Sequence, residues 1–274
     1  MGLDELKRFI FDGSYMELKQ EEERLRLLKN LIREEQDSLD LKRIVWAELG
    51  VVGEFQNSIV YEYDHDELNA LLYNIGILPV ITCIKSSDLT EEELGRVAHV
   101  PAHRKRYLRF TPSNHFKQSM IIPLFDFNVN ELDLLDKVAM WKESNTKFER
   151  LNTIWQIEKL RALVSLELKT SKKLTFECGT FSFLEGSKKY RTDMVLEHFD
   201  VRTIIRCARV NLDRMDEIRS RGFLSKHELA GIRRVVNVQR RYIIMTIKKE
   251  KMKKEYWCSK LKQLSHLSQG ENAE

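Results

Sequence analysis

The placement of proline is the feature that most restricts how this chain can fold. All four prolines lie in one segment, between Pro79 and Pro123. From Leu124 to Cys178 the sequence contains neither proline nor glycine, so the strongest breakers of regular structure are absent there. This long uninterrupted stretch favours long helices.

Apolar residues recur at helical intervals through much of the chain. The pattern predicts a long amphipathic helix over residues 17–49, a helix over 147–168 and another over 201–222. Ser225 and Glu228 form a capping box, which predicts a last helix that continues without a proline to about Leu264. At 1.5 Å per residue this C-terminal helix would be roughly 60 Å long.

Three segments instead have the composition of strands. Residues 59–63 alternate and are β-branched or aromatic, and residues 77–84 form a continuous apolar run. Residues 174–196 alternate with a change of register at Gly179, which is typical of a short β-hairpin. The sequence therefore predicts an α+β fold that is predominantly α-helical. It has a small mixed sheet in its N-terminal region, a short β-hairpin near 174–196 and a long C-terminal helix.

The distribution of charge predicts the organisation of the chain. The net charge of +4 conceals an asymmetry, because residues 1–201 hold 28 Lys+Arg and 34 Asp+Glu whereas residues 202–262 hold 18 and 6. We expect an acidic, mixed α/β portion over residues 1–145, a basic helix-hairpin-helix-helix portion over 146–264 and a disordered tail over 265–274. A basic segment attached to an acidic body indicates a surface for an anionic partner, or a segment that neutralises the body by packing along it.

Basic residues follow helical spacing in the two predicted C-terminal helices. One stripe has the spacing i, i+4, i+7 and the other has the spacing i, i+7, i+14, each opposite an apolar face. Successive guanidinium groups at such intervals can follow a phosphate backbone. The candidate nucleic-acid-binding residues are Arg202, Arg206, Arg209, Arg233, Arg234, Arg240, Arg241 and Lys248, with Arg104, Lys105 and Arg106 in an irregular basic segment.

The leading functional hypothesis is a non-enzymatic protein that binds DNA or RNA through this basic two-helix surface. Tyr256 and Trp257, near the end of the last helix, either stack on bases or pin the helix to the body. The alternative is a protein-interaction or assembly protein that forms a homo-oligomer through the long helices at 17–49 and 225–264.

Signatures of catalysis are weak. Glu167 and Lys169 match half of a metal-dependent nuclease motif, but the residues before them have helical rather than strand periodicity. His99 and His103 are separated by Pro101, so they do not share a helical face. We therefore expect no enzymatic activity, no cofactor and no metal site, and retain metal-dependent nuclease activity as a third hypothesis.

Composition also predicts the compartment. The four cysteines are scattered and have no CxxC spacing. We expect them to be buried thiols in a reducing environment. Every apolar run is much shorter than the about 18 residues that a helix needs to span a bilayer. The first residues do not resemble a signal peptide. The chain is expected to be cytoplasmic, with no membrane partner.

Overall fold

The fold is mixed α+β, as seen in a computed structural model that describes residues 2–119, 125–165 and 170–270. The α-helices are α1 (Gly2–Phe11), α2 (Ser14–Ser38), α3 (His65–Asn74), α4 (Leu78–Ile81), α5 (Glu91–Arg96), α6 (Asn114–Ser119), α7 (Leu134–Ala162), α8 (Val201–Cys207), α9 (Leu212–Ser220), α10 (Lys226–Ala230) and α11 (Ile247–Gly270). The strands are β1 (Arg43–Trp46), β2 (Val51–Tyr63), β3 (Thr82–Lys85), β4 (Arg106–Pro112), β5 (Lys173–Phe176), β6 (Gly179–Glu185), β7 (Lys189–Arg191), β8 (Ala208–Val210) and β9 (Arg233–Thr246).

The strands form three small antiparallel sheets, with the orders β1-β2-β9, β7-β3-β8 and β4-β6-β5. The long strands β2 and β9 are neighbours in the first sheet. At one end the Asp64 N–H donates to the Ile232 carbonyl at 2.9 Å, and at the other the Ile247 N–H donates to the Gly50 carbonyl at 2.8 Å. The two strands therefore run antiparallel.

The chain divides into two compact units, neither of which is a continuous segment. Unit 1 comprises Met1–Gln56, Arg106–Glu185 and Arg241–Lys251, and unit 2 comprises Asn57–Lys105, Gly186–Arg240 and Met252–Glu274. Strands β2 and β9 each begin in one unit and end in the other. The domain boundary expected near residue 145 falls inside α7, and it stays a prediction.

Unit 1 is built around the packing of α1 and α2 on α7. Leu28 of α2, Val138 of α7 and Tyr242 of β9 lie in one buried apolar cluster. A second cluster joins Leu6 of α1 to Phe181 of β6. The helical spacing of the apolar residues in α2 places them on the face that is buried against α7.

A buried polar contact in unit 1 connects α2 to the sheet. The Gln36 side-chain amide donates to the carbonyls of Leu41 at 2.9 Å and Gly53 at 3.3 Å, and its oxygen accepts from the Tyr242 hydroxyl at 2.9 Å. A Cβ at Gly53 would lie 2.3 Å from that hydroxyl and 2.7 Å from the Gln36 oxygen. A side chain at residue 53 would therefore displace these two groups, which together with a Trp46 ring carbon at 3.0 Å fill the space beside the glycine.

Unit 2 has its own core, in which α3 and α8 pack beside the β7-β3-β8 sheet. The buried Asn69 amide of α3 donates to the carbonyls of Ile205 at 2.7 Å and Ala208 at 2.9 Å. These two hydrogen bonds attach α3 to the junction of α8 and β8. A buried hydroxyl pair, Thr82 with Thr192 at 2.7 Å, adds a second polar contact inside this core.

The fold predicted from the sequence is wrong in its C-terminal part. The capping box of Ser225 and Glu228 is present, but the helix that it opens, α10, ends at Ala230. Strand β9 then occupies residues 233–246, and α11 begins only at Ile247. The single helix to about Leu264 does not exist, because β-branched and aromatic residues in the segment pair with β2.

The predicted sheets also need correction. The prediction of one small mixed sheet in the N-terminal region is wrong. Strand β2 pairs with β9, and β3 pairs with β7 and β8, so the predicted strands belong to two different sheets. The strands near 174–196 divide between two sheets, because β5 pairs with β6 whereas β7 joins β3. The helix predicted over 201–222 is interrupted by β8, whose residues pair with β3.

Removal of the Tyr242 hydroxyl tests the buried contact. In Tyr242→Phe the Gln36 oxygen loses its donor while it remains buried, so we expect the free energy of unfolding to fall by about 1–3 kcal/mol. Urea denaturation measures this loss. The control is Tyr256→Phe, whose hydroxyl lies on an exposed side chain and whose effect should stay within about 0.5 kcal/mol. Equal stability of the two variants would contradict the role of this hydrogen bond.

Candidate nucleic-acid interface

The first predicted stripe lies on α8 and β8, and two of its three cations contact carboxylates. Arg206 Nη2 lies 2.5 Å from the Glu93 carboxylate, and Nη1 donates to the Asp88 carbonyl at 3.3 Å. Arg209 Nε donates to the Asp88 carboxylate at 2.8 Å. Arg202 is exposed. The structure thus brings Arg206 and Arg209 together on the segment 88–93.

The carboxylates of this cluster are stabilised in their charged form. The hydrogen bond from Arg209 is the main reason why the pKa of Asp88 lies below its ordinary value. The backbone N–H of Thr90, followed by the guanidinium of Arg206, lowers the pKa of Glu93. Ionised partners compensate both guanidinium groups at neutral pH. Arg206 and Arg209 therefore fix α8 and β8 to this segment, and they contribute little net charge for phosphates.

The second predicted stripe begins on a strand rather than on a helix. In β9 successive side chains point to opposite faces of the sheet, so Arg233 and Arg234 do not share a face. The Arg233 guanidinium lies 4.2 Å from the centroid of the Tyr61 ring. Arg234 Nε donates to the Glu62 carboxylate at 2.7 Å. Both arginines are thus oriented by side chains of β2.

The remaining predicted cations are exposed at other points along the chain. Arg240 and Arg241 lie on β9, Lys248 lies in the first turn of α11, and Arg104, Lys105 and Arg106 lie before or at the start of β4. Arg106 Nε donates to Glu185, its partner across the β4–β6 pair, at 3.1 Å. Arg106, like Arg206, Arg209 and Arg234, therefore contacts a carboxylate.

A polar cleft of about 460 Å³ lies in unit 2 beside the start of β9. It is lined by Glu62, Tyr63, Asp64, Glu67, Gly231, Ile232, Arg233 and Arg234. The Asp64 carboxylate caps α3 by accepting from the N–H groups of Asp66 and Glu67. Acidic and basic side chains line the cleft together, so neither sign of charge dominates it.

The exposed face of α11 presents cations and aromatic rings together. All residues from 251 to 259 are exposed, and Tyr256 and Trp257 keep 62% and 56% of their surface accessible. Their rings meet edge to face at 5.7 Å, and Lys260 Nζ lies 5.3 Å from the Trp257 centroid. Lys253, Tyr256, Trp257 and Lys260 are spaced i, i+3, i+4 and i+7, which places them on one side of the helix. We refer to these four residues as the α11 face.

Two members of the α11 face, Lys253 and Lys260, were missing from the candidates drawn from the sequence. Their signal was nevertheless present, because each lies within one helical turn of the aromatic pair. The predicted stripe of Arg234, Arg241 and Lys248 ends before these two lysines.

In the part of the chain that the structure describes, no group of three or more His, Cys, Asp or Glu side chains is placed to hold a metal ion. Glu167 and Lys169, the half-motif of a nuclease, lie outside the described residues. The His99 ring contacts the His198 ring edge to face at 4.8 Å.

The pair formed by Arg209 and Asp88 gives a pH-dependent test. At pH 7 Arg209→Gln should lower the free energy of unfolding by about 1 kcal/mol, because Arg209 is 46% exposed and solvent screens the pair. The lowered pKa of Asp88 in the folded state contributes stability above the ordinary value of 3.8, and this contribution is lost as the pH falls below it.

Urea denaturation of both proteins across the acid range measures this effect. The stability difference between wild type and Arg209→Gln should stay constant from neutral pH to about pH 4 and shrink at lower pH. Lys29→Gln, at an exposed lysine of α2, is the control, and its stability difference from wild type should not change with pH. A difference that persists unchanged in strong acid would show that the ion pair is not its source.

Comparison with known proteins identifies no relative of this chain. No protein-family model matches the chain, and no curated protein or solved structure shows significant similarity to it. Within the described ranges, no helix is long and apolar enough to cross a bilayer.

Proposed function

We propose that this protein binds nucleic acid without catalysing a reaction, and that the α11 face is the contact surface. The observation that carries the proposal is the exposed aromatic pair with a lysine one turn away on each side. An exposed tryptophan beside an exposed tyrosine gains stabilisation when a flat, apolar group covers it. Nucleic-acid bases supply such a group, and the phosphates beside them match the two lysines.

The chemistry of the α11 face favours single strands. Stacking on Tyr256 or Trp257 requires a base whose face is accessible, which single-stranded DNA or RNA offers and a paired duplex does not. Lys253 and Lys260 then contact the backbone on both sides of the stacked base. Such a surface tolerates many sequences, because every base has an aromatic face.

The charge around α11 supports the same proposal. Residues 233–260 contain ten Lys+Arg and two Asp+Glu. Part of this charge is compensated, since Arg234 contacts Glu62 and Lys249 contacts Glu149 at 2.9 Å. The excess attracts a polyanion from a distance and raises its rate of association. In this proposal Lys248 adds to the attraction, whereas Arg206 and Arg209, which contact carboxylates, do not.

Assembly through long helices has less support than nucleic-acid binding. Leu28 and Ile32 of α2 are already buried within unit 1, so the apolar face of that helix is occupied. The second helix of that hypothesis, over 225–264, is interrupted by β9.

Charge reversal on the α11 face provides the test. The double variant Lys253→Glu with Lys260→Glu removes two phosphate contacts, so the slope of log affinity against log salt should become shallower by about 1.4 for a single strand.

Trp257→Ala should weaken binding by about 1–3 kcal/mol, because one stacked base loses its partner. Fluorescence anisotropy of labelled single-stranded DNA and RNA over a salt series measures both effects.

Matched controls come from other exposed positions. Lys29→Glu reverses an exposed lysine on α2, and Phe223→Ala removes an exposed aromatic ring elsewhere in unit 2. Neither variant should change affinity by more than about twofold. If wild type binds no oligonucleotide at low salt, or if Lys29→Glu weakens binding as much as the double variant, the proposed surface is wrong.

A further inference from the structure

Strand β2 has an open edge beyond its pairing with β1. Strand β1 covers β2 only from Val51 to Glu54, with one further hydrogen bond from the Phe55 N–H to the Lys42 carbonyl at 2.8 Å. Strand β2 itself continues to Tyr63, and β9 lies on its other side. Among the described residues, no strand pairs with the β1 side of β2 after this point. The section from Asn57 to Tyr61 therefore presents an open strand edge.

Hydrogen bonds at the two ends of this section show which backbone groups lie on the open edge. The N–H of Asp64, an even-numbered residue, donates towards β9, to the Ile232 carbonyl at 2.9 Å. The N–H of Phe55, an odd-numbered residue, donates towards β1. Successive residues of a strand direct their backbone groups alternately to its two sides. The odd-numbered residues from 57 to 61 therefore direct their N–H and C=O groups to the open edge, with Ile59 in the middle.

The side chains along this edge do not prevent pairing with another strand. Edge strands usually carry charged residues that protect against association. Residues 57–61 read Asn-Ser-Ile-Val-Tyr, so none of them is charged, and the last three are β-branched or aromatic. Ile59 keeps 49% of its surface accessible. This edge thus has the composition of a strand that is stabilised when a further strand covers it.

We propose that two copies of this chain form a dimer by antiparallel pairing of their β2 edges, with a two-fold axis at Ile59. Ile59 then faces Ile59 of the partner subunit, and Asn57 faces Tyr61 of the partner subunit. Every such pair joins two residues whose backbone groups lie on the open edge, so each pair exchanges both N–H···O bonds. The two exposed isoleucine side chains lie on the same face and cover each other. The proposal does not rest on nucleic-acid binding, because the α11 face contributes no residue to it.

The contacts already present select this register over its neighbours. A two-fold axis at Asn57 would need the Phe55 N–H, which β1 already uses. An axis at Tyr61 would bring two cations together, because the Arg233 guanidinium lies 4.2 Å from the centroid of that ring in each copy. Like charges placed opposite each other on paired strands are destabilising. An axis at Ile59 avoids both conflicts.

A second copy fits this edge better than a strand of a different protein. A foreign strand that pairs with β2 covers one open edge but presents its own outer edge to solvent. When two copies pair, each covers the open edge of the other, so neither edge remains exposed to further association. The absence of charge from residues 57–61 also means that nothing on the edge repels its own copy.

Light scattering of the full chain over a range of concentrations tests the dimer. At high concentration the mass should be twice the 32.5 kDa of a single chain. The dimer should persist in about 1 M sodium chloride, because backbone hydrogen bonds and apolar contacts are little screened by salt. A chain that stays monomeric at every concentration, or a dimer that dissociates in high salt, would overturn the proposal.

A charge at the two-fold axis tests the position of the interface. Ile59→Lys places two ammonium groups directly opposite each other, so the dissociation constant of the dimer should rise at least about tenfold. Val80→Lys is the matched control, at a valine of unit 2 that keeps 62% of its surface accessible, and its dissociation constant should stay within about twofold of wild type. Equal dissociation constants for the two variants would show that the interface lies elsewhere.

Cross-linking through introduced cysteines tests the register. Each variant also carries Cys258→Ser, because Cys258 is exposed, and this background alone should give no covalent dimer. Residues that face each other in a hydrogen-bonded antiparallel pair have Cα atoms about 5.5 Å apart, which a disulfide can bridge. Ile59→Cys should therefore form a covalent dimer under mild oxidation. Failure to do so in a dimeric protein would overturn the register.

The neighbouring residues provide a control of the same kind. In the proposed dimer Val60 faces Ser58 of the partner subunit, whereas the two copies of residue 60 lie on a diagonal of roughly 7–8 Å, which is too long for a disulfide. Val60→Cys alone should not cross-link, but a mixture of Val60→Cys with Ser58→Cys should. The opposite pattern would contradict an axis at Ile59.

Two further measurements separate this proposal from the others. Circular dichroism checks the fold of each variant, and the cysteine variants decide the outcome if Ile59→Lys does not fold. If wild type dimerises only after a single-stranded oligonucleotide is added, then nucleic acid bridges the two copies and strand pairing is wrong. Lys253→Glu with Lys260→Glu should leave the dimer mass unchanged, so failure of one proposal is distinguishable from failure of the other.

Discussion

The pairing of β2 with β9 is the constraint on which the rest of this structure depends. Each strand begins in one compact unit and ends in the other, so both units are complete only when the two strands have met. The pairing joins distant parts of the chain, as shown by Gln36 and Tyr242, whose hydrogen bond spans 206 positions. Closing such a loop costs conformational entropy before any contact repays it. The buried polar contact at Gly53 stabilises the pair once it has formed, because Gln36 bonds to both strands.

The same long-range pairing explains why the sequence predicted some elements and missed others. The predicted capping box of Ser225 and Glu228 is present in the structure, because it depends on residues only three positions apart. The change of register at Gly179 is also visible in the sequence. In the structure the turn of the β5–β6 hairpin lies at residues 177–178, and Gly179 follows it with a φ of +151° beside the Thr111 carbonyl, which suits only a residue without a side chain. The segment after Ala230 was ambiguous. Its apolar spacing fits a helix, while its β-branched residues fit a strand, and a partner strand far away in the sequence decides between them.

Prediction of the candidate site was limited in the same way. Spacing along the chain shows which cations share a helical face, but it does not show which carboxylates come to meet them. Arg206 reaches Glu93 across 113 positions and Arg209 reaches Asp88 across 121. The α11 face depends only on local spacing along one helix, so its composition was readable from Lys253 to Lys260. Its exposure was not, because exposure depends on the absence of packing partners elsewhere in the described chain.

Secondary structure gives neighbouring parts of the basic C-terminal segment different roles. In β9, Arg233 lies over the Tyr61 ring and Arg234 donates to the Glu62 carboxylate, so both arginines are oriented by the protein's own side chains. In α11, Lys253 and Lys260 flank an exposed pair of rings, an arrangement that suits a flexible polyanion and should depend strongly on salt. A segment that looks uniform in composition is thus divided by its secondary structure into arginines that contact the protein itself and lysines that lie beside exposed rings.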